Sequence, residues 1–332
     1  MRIFCNSALL LTLLLSVFAL PSFAEDAVGE ARDPVSVERD VKGTLLMKGA
    51  SCELIQKQGV ALSHWKEKLH EGTSSLESCQ CKSQGDCSMS IDSVLPKFVA
   101  EIYGTKAEYG GPNCWNAVLV AGKFIPNLRF STPEEMSFWM DSPLCREMES
   151  SEVLQPGDIM AIRHVGEGEV HGFVYVTDEL TFSKNAYYRK DAYLLQNPDP
   201  IFTQYGAPEG CRKKESAKDP KCRNYVTYYR CGLLDDYLAA RKNSISESFE
   251  ISSKQLFNVE CELSDLVFFG RGNPVLKEKK NQILLQAKNA MDVIAALATK
   301  EAARADLSED ERFLWKSLIV RADAVLHQID FF

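Results

Sequence analysis

The feature that most constrains this chain is an N-terminal segment that predicts export. Arg2 precedes the apolar run ALLLTLLLSVFAL, and the small residues Ser22 and Ala24 follow at positions that suit signal-peptide cleavage. We expect residues 1–24 to be removed and the mature protein to be secreted or periplasmic. The apolar run is too short to span a bilayer comfortably and no second one follows, so we expect no integral membrane segment in the mature chain.

The predicted compartment determines how the 11 cysteines are interpreted. Cys5 lies in the signal segment, and most of the others are expected to pair as disulfides in an oxidising environment. If one of them is a free thiol, the remaining number is odd, and a second cysteine is unpaired or bonded to another chain. Cys145 is the candidate for that second cysteine, because it lies far from the other cysteines in the sequence.

Composition and length limit the partners and the architecture. Acidic residues (46) outnumber basic residues (38), and the formal net charge is −8. General nucleic-acid binding requires a basic surface that displaces counterions, so we expect no nucleic-acid partner. The 332 residues can bury a large core and suggest two or three domains. Shifts in character predict a Cys-rich N-terminal region (25–90), a central domain (91–240) and a helical C-terminal appendage (241–332).

The Cys-rich region begins with a polar segment. Residues 25–42 are charged and lack apolar periodicity, which predicts a flexible lead-in. LLMKGASCELI contains a predicted strand, and VALSHWKEKLHE has the apolar spacing of a helix. Cys79, Cys81 and Cys87 lie in a polar loop, where a disulfide staple is the favoured interpretation. A zinc site that also uses Cys52 is the alternative, although the Cys-x-Cys spacing matches the usual paired ligands poorly.

The central region changes from a helical period to a strand period near Gly157. SVLPKFVAEIYG and residues 114–123 predict helices, and STPEEMSFWMDSP predicts a third with a capped start. DIMAIRH, EVHGFVYVTD and ELTFSKNAYY alternate with a period of two and predict three successive antiparallel strands. NYVTYYR predicts a strand that returns to the sheet after a basic insertion clamped by Cys211, Cys222 and Cys231.

Beyond about Ala240 the sequence is helical. LKEKKNQILLQAKNAMDVIAALATKEAARA and SEDERFLWKSLIVRADAVLHQIDFF each predict a long amphipathic helix, and ADLSED links them with a fresh cap signal. The pattern predicts a helical hairpin. Nothing in it indicates chemistry, so we interpret it as a packing appendage that could also dock a protein partner. Together the elements predict an α+β fold.

Cys114 lies in EYGGPNCWNAVLVAGKF, where a glycine-rich turn becomes an apolar helix. The unpaired N–H groups and the dipole at a helix start favour the thiolate, which is the nucleophilic form of cysteine. Asn113 can cap this helix, and the backbone N–H of Cys114 can stabilise an oxyanion. The alternatives for Cys114 are a disulfide or a small buried apolar side chain.

A histidine on rigid structure opposite this helix would activate the thiol. His171 begins the strand HGFVYVTD, and Gly172 beside it lets another backbone come close. Asn185 on the next strand can return to the level of His171 and accept a hydrogen bond from its ring, which would hold the imidazole in one orientation. His164 is the rival base, but it lies at the far end of the hairpin.

This order of motifs resembles the NlpC-type cell-wall peptidases, which have a compact papain-like fold. The chain has a cysteine at a helix start, then a Pro-Gly-Asp turn at residues 156–158 that opens the strand before the histidine strand, and then His171. The family's usual cysteine motif is Asp-Cys-Ser-Gly, whereas this chain has Asn-Cys-Trp-Asn at residues 113–116. The resemblance covers about residues 107–200.

The resemblance implies a papain-like core, in which an antiparallel sheet packs on the helix that carries the nucleophile. It also implies hydrolysis of an amide bond in peptidoglycan stem peptides. Cys114 would attack the amide, a thioester would form, and water would clear it, with His171 acting as base and then as acid. A tyrosine before the cysteine often assists the oxyanion site in this family, and Tyr109 is the local candidate.

Three alternatives stay open at the level of the sequence. A non-catalytic wall- or protein-binding module on the same fold is favoured by the altered cysteine motif. A cysteine protease or amidase acting on proteins would use the same residues on another substrate. A metal site formed by His164, Glu167, Glu169 and His171 is the third, but the spacing matches no helix-borne zinc pattern, so we expect neither a metal nor a cofactor.

Overall fold

A computed structural model describes residues 35–332 except residues 84 and 167. The predicted signal peptide and most of the predicted lead-in lie outside the described residues. The described part is α+β, as predicted, with ten strands and nine α-helices. In chain order the elements are β1 (Val35–Arg39), β2 (Leu45–Gly49), α1 (Cys52–Lys68), β3 (Gln80–Ser83), β4 (Asp86–Ser90), α2 (Lys97–Ile102), α3 (Cys114–Ala121), α4 (Pro133–Met140), β5 (Cys145–Glu147), β6 (Ile159–His164), β7 (Gly168–Thr177), β8 (Leu180–Lys184), β9 (Tyr193–Gln196), α5 (Asp199–Gln204), β10 (Asn224–Cys231), α6 (Leu234–Ala240), α7 (Glu247–Phe269), α8 (Pro274–Ala302) and α9 (Glu309–Ile329).

The first sheet is antiparallel and has the strand order β1-β2-β4-β3. Its edge strand β1 lies in the segment for which the sequence predicts a flexible lead-in, and this part of the prediction is wrong. Val35 is buried, and Arg39 donates a hydrogen bond to the carbonyl oxygen of Ala100 at 3.0 Å. Strand β1 is held by its backbone pairing with β2 and by such contacts. Apolar periodicity in the sequence does not reveal these interactions.

The second sheet is also antiparallel and has the order β5-β10-β6-β7-β8-β9. Strands β6, β7 and β8 are the three that the period of two predicts, and β10 returns beside β6 as predicted. The Pro-Gly-Asp turn precedes β6, with Gly157 at a φ of +87°, a conformation that glycine adopts without strain. Helix α4 begins after Thr132, whose side chain accepts from the backbone N–H of Glu135.

The two faces of this sheet are covered by different helices. Gly172 and Val174 of β7 face α3 and α4, in the large core shared with Val118. Phe173 faces the other way, into a smaller core where its ring lies 5.3 Å from that of Phe202 in α5. Adjacent residues of β7 therefore contact different layers, as the alternation of a strand requires.

The cysteine pairing confirms one interpretation and corrects another. Four disulfides join described residues, and Cys52–Cys79 and Cys81–Cys87 form the predicted staple. Cys145 is not unpaired, so that prediction is wrong. It pairs with Cys231, because the antiparallel register of β5 and β10 sets the two residues directly opposite each other. The remaining disulfide, Cys211–Cys222, clamps the basic insertion.

The C-terminal region contains three long helices and not only the predicted hairpin. Helices α8 and α9 form that hairpin, and Ser308 and Glu311 cap α9 in a capping box. Helix α7 was not predicted, because Ser252, Glu260 and Ser264 lie on its buried side and interrupt the apolar period. Within the described residues, none of the helices is both long and apolar enough to cross a membrane.

A buried ion-pair network joins these helices to the sheet domain. Arg129 donates to Glu135 at 2.6 Å and to Glu260 of α7 at 3.0 Å. Arg321 of α9 binds the other oxygen of Glu260 at 2.6 Å. All four side chains are buried. The C-terminal helices thus pack against the sheet domain through buried ion pairs.

Candidate functional site

The start of α3 is fixed by asparagines on either side of Cys114. Asn113 caps the helix, as predicted: its side-chain oxygen accepts from the backbone N–H of Asn116 at 3.0 Å. Its amide nitrogen donates to the carbonyl of Ser131 at 2.7 Å. Asn116 in turn accepts from the backbone N–H of Arg129 at 3.2 Å. The Asn-Cys-Trp-Asn sequence therefore ties the helix start to the loop that follows α3.

Helix α3 reaches β7 at Gly172. A side chain at this position would place its Cβ 3.2 Å from Val118 and 3.7 Å from Trp115, so the glycine permits a close approach. The backbone of Gly172 lies close enough to the sulfur of Cys114 to favour its thiolate. Strands β7 and β8 pair as far as Val174 and Phe182. Beyond this pair, toward Gly172, the two strands are no longer paired. Cys114 thus lies where β8 separates from β7.

The Cys114 thiol is free and buried, with 5% of its surface exposed. Burial raises its pKa to about 11, while backbone hydrogen bonds from Gly172, Trp115 and Cys114 itself, and the charge of Lys184, act in the opposite direction. The helix start therefore does favour the thiolate, as predicted, but desolvation outweighs it. In this closed arrangement the thiol is protonated at neutral pH.

His171 is fully buried on the other side of β7. Its ring stacks on Tyr205, with the ring centroids 4.2 Å apart and an interplanar angle of 23°. Among the described residues neither ring nitrogen has a hydrogen-bond partner. Burial lowers the pKa of His171 to about 3, so the imidazole is neutral. Because Gly172 faces α3, the preceding His171 faces the layer of α5, and no hydrogen bond joins it to Cys114.

Asn185 lies at the predicted level of the sheet. Continuing the register of β7 and β8 from Val174 and Phe182 sets Asn185 opposite His171. The Asn185 side-chain oxygen, however, accepts from Gln196 at 2.9 Å. The link to the imidazole runs through Tyr205, whose hydroxyl donates to the Asn185 backbone carbonyl at 2.5 Å.

Tyr109 is turned toward the C-terminal helices. Its ring lies 4.9 Å from that of Phe332, and the guanidinium of Arg271 lies 4.6 Å above it. Its backbone N–H donates to Val267 at 3.0 Å. These contacts place the tyrosine in the packing between the sheet domain and α7 to α9, and none of them involves Cys114.

Among the described residues, the others predicted as candidates for acid–base or metal chemistry have no contact with Cys114. His164 accepts a hydrogen bond from Arg223 at 2.9 Å at the end of β6, and Glu167 lies outside the described residues. Within the part of the chain that the structure describes, three potential ligand atoms converge at Cys52, Cys81 and Cys87. Their sulfurs are engaged in the two disulfides of the staple, which supports the non-metal interpretation.

Lys184 is a residue near Cys114 that the sequence interpretation missed. Its side chain is fully buried, and its Nζ donates to the carbonyls of Ala186 at 2.5 Å and Tyr188 at 3.0 Å. Burial lowers its pKa to about 8, against the opposing effects of Asp191 and Cys114. The signal was available: in LTFSK the lysine follows Leu180 and Phe182 at the alternating, inward-facing position.

The glycine turn before Cys114 is covered by the end of α9. Gln328 donates to the carbonyl of Gly110 at 3.2 Å and accepts from the backbone N–H of Phe130 at 2.7 Å. A side chain at Gly111 would collide with Gln328. These contacts hold the turn in place, and a side chain at Gly110 would approach Phe331 to 3.0 Å, so both glycines lie where the end of α9 leaves little room.

Comparisons with protein-family models, with curated proteins and with solved structures find no match to this chain. The resemblance to the NlpC-type peptidases stays a prediction from sequence motifs.

Proposed function

We propose that this protein is an exported cysteine hydrolase with a papain-like core, and that Cys114 attacks amide bonds in peptidoglycan stem peptides. One observation carries the proposal: a free thiol lies at the start of a helix that Asn113 caps, and the backbone groups of Gly172, Trp115 and Cys114 itself favour its thiolate. Backbone donors in that position can also stabilise the oxyanion of an acyl-transfer reaction. The disulfides and the predicted signal segment support export.

The proposed reaction has two steps. The Cys114 sulfur bonds to the amide carbon, the C–N bond breaks, and the thiol proton leaves on the amine nitrogen, which yields a thioester and a free amine. Water then adds to the thioester carbon, and the C–S bond breaks to give a carboxylic acid and the thiol. His171, whose two ring nitrogens lack partners among the described residues, is the predicted relay for these protons. Because its ring stacks on Tyr205 in the closed arrangement, the proposed reaction requires it to turn toward Cys114 when the site opens.

The described arrangement is a closed one. The thiol is 5% exposed and the imidazole is not exposed at all. A substrate carbonyl can reach Cys114 only if the surrounding loops open, so we expect the turn at Gly110 and the loop after β8 to move on binding. Opening would admit water and lower the desolvation that keeps the thiol neutral.

The test is digestion of purified peptidoglycan sacculi by the parent and by Cys114→Ala, with released stem-peptide fragments identified by mass spectrometry. We expect the parent to release new amino groups and the variant to release none while it keeps its circular dichroism spectrum and melting temperature. Equal release by both proteins would rule out Cys114 as the nucleophile. A mixture of unfolded proteins, digested in parallel, distinguishes a protease or an amidase that acts on proteins.

A second function is a wall- or protein-binding module without catalysis. The burial of Cys114 and the placement of His171 on the opposite face of β7 favour it. Cosedimentation with sacculi tests it: binding by the parent and by Cys114→Ala, without fragment release by either, would support the binding module over the hydrolase.

A further inference from the structure

We propose that the ammonium group of Lys184 stabilises the Cys114 thiolate, and that His171 does not supply this charge. The proposal deepens the proposed function and rests on it only for the reaction itself. Thiolate stability can be measured without any substrate, so the two proposals can fail separately.

The strand register places Lys184 on the same side as Cys114. Val174 of β7 is paired with Phe182 of β8, and continuing this register by two residues sets Lys184 opposite Gly172. Alternation puts Lys184 on the face of Phe182, which is in the large core beneath α3. Gly172 is the residue of β7 whose backbone favours the Cys114 thiolate. Lys184 thus lies on the α3 side of β8, within range of an electrostatic interaction with Cys114, whereas the His171 ring stacks on Tyr205.

The burial of Lys184 requires a compensating partner. A lysine is almost never fully buried unless it is paired, because removing an ammonium group from water is costly. The carbonyls of Ala186 and Tyr188 accept two of its hydrogens. An ammonium group has three, so these bonds hold the charge in place and leave one donor uncommitted.

The groups that face Lys184 define its electrostatic surroundings. Asp191 and Cys114 both favour its charged form, and Lys184 in turn favours the Cys114 thiolate. Tyr205 also interacts with Cys114 and Asp191, and burial and both interactions raise its pKa, so it is neutral in the working range of pH. His171 is neutral as well. Lys184 is therefore the cation of this cluster below its pKa of about 8, and its stabilisation of the thiolate is lost as the pH rises through that value.

The alternative is a purely structural role, in which the two hydrogen bonds of Lys184 only hold residues 186–188 in the loop after β8. Two substitutions separate the roles. Lys184→Arg retains the charge, and Lys184→Gln retains a hydrogen-bond donor but removes the charge. A structural role predicts that Lys184→Gln resembles the parent, whereas an electrostatic role predicts that Lys184→Arg does.

The experiment measures the alkylation rate of Cys114 by iodoacetamide between pH 6 and 11, in the native, unreduced protein, with the modified peptide located by mass spectrometry. We expect Lys184→Gln to make alkylation about tenfold slower at pH 7, where the parent's ammonium group is charged, and to have a smaller effect above pH 8, where the parent loses that charge. Lys184→Arg is expected to stay within about threefold of the parent, and His171→Gln is expected to leave the profile in place.

An unchanged profile for Lys184→Gln, or a shift produced by His171→Gln alone, would overturn the proposal. If Lys184→Gln does not fold, Lys184→Met and Lys184→Arg provide the same comparison, and loss of folding in all three assigns Lys184 to structure and also overturns it. A shifted profile in a protein that digests no sacculi would support Lys184 and count against the hydrolase.

Discussion

Two buried polar clusters of this protein differ in how completely their atoms are paired. In the network of Arg129, Glu135, Glu260 and Arg321, each charged group lies within 3.0 Å of an opposite charge. Around Cys114, both ring nitrogens of His171 and one carboxylate oxygen of Asp191 lack hydrogen-bond partners among the described residues. The first cluster joins two parts of the structure, and the second lies where two strands of one sheet separate.

The difference indicates which cluster is available for chemistry. An unpaired buried polar atom costs free energy, so its persistence requires an explanation such as a ligand or a reacting group. A fully paired network has no donor or acceptor left to offer a substrate. Both clusters contain groups with a shifted pKa: against the effect of its burial, Arg321 and Arg129 lower the pKa of Glu260, and burial lowers the pKa of His171. A shifted pKa alone therefore does not separate a functional site from a structural one.

The largest expected effect concerns the unpaired imidazole. Burial lowers the pKa of His171 from 6.5 to about 3. Between these pH values the imidazole is protonated in the unfolded chain and neutral in the folded protein. Stability is therefore lost as the pH falls from about 6.5 to about 3, by about 5 kcal/mol at the lower end. We expect the free energy of unfolding of His171→Phe, measured in urea at several pH values, to lack this component.

The matched comparison for this measurement is the difference between the parent and His171→Phe at each pH. The phenyl ring can keep the stacking on Tyr205 and does not titrate, so carboxylate effects cancel in the difference. A difference that stays constant between pH 6.5 and 3 would show that the imidazole is partnered in solution, and the contrast between the two clusters would fail.

The next effect concerns the paired network. Arg129→Met would leave Glu135 and Glu260 buried with too little positive charge, and we expect a loss of about 3–5 kcal/mol in the free energy of unfolding at pH 7. Arg304→Ala is the control, because its bonds to Glu301 and Asp306 are on the surface and should leave the denaturation midpoint close to that of the parent. Equal midpoints for the two variants would contradict the structural role of the network.

Much of the fold could be predicted from local chemistry, because caps and periodicity are local. The period of two identifies β6 to β8, and the cap signals identify the starts of α4 and α9. Helix α7 could not be identified in this way, since its buried Glu260 finds its partners Arg129 and Arg321 only in the folded protein. The pairing of Cys145 with Cys231 likewise depends on strand order, which sequence separation does not reveal.

The site illustrates the same limit within a single strand. Alternation predicts that His171 and Phe173 share a face of β7, but it does not say which face α3 covers. Gly172 indicates the face: because the strand approaches α3 at this glycine, the side chain of the preceding His171 points to the opposite side. The same alternation places Lys184 with Phe182 on the side of β8 that faces the large core beneath α3.

The smallest expected effect concerns Asn185, the predicted orienting residue. Its side chain accepts from Gln196 and Ser183, so Asn185→Ala should cost about 1 kcal/mol of stability, as is typical of a lost hydrogen bond. If the parent digests sacculi, we expect the variant's rate to stay within about tenfold, because Tyr205 still orients the imidazole by stacking. A loss near 10⁴-fold, as is typical when the orienting member of a catalytic triad is changed, would instead mean that the amide turns to His171 when the site opens.

Tyr205→Leu distinguishes these outcomes, since it removes the stacking and leaves the Asn185 side chain in place. The larger loss of rate should belong to whichever residue holds the ring.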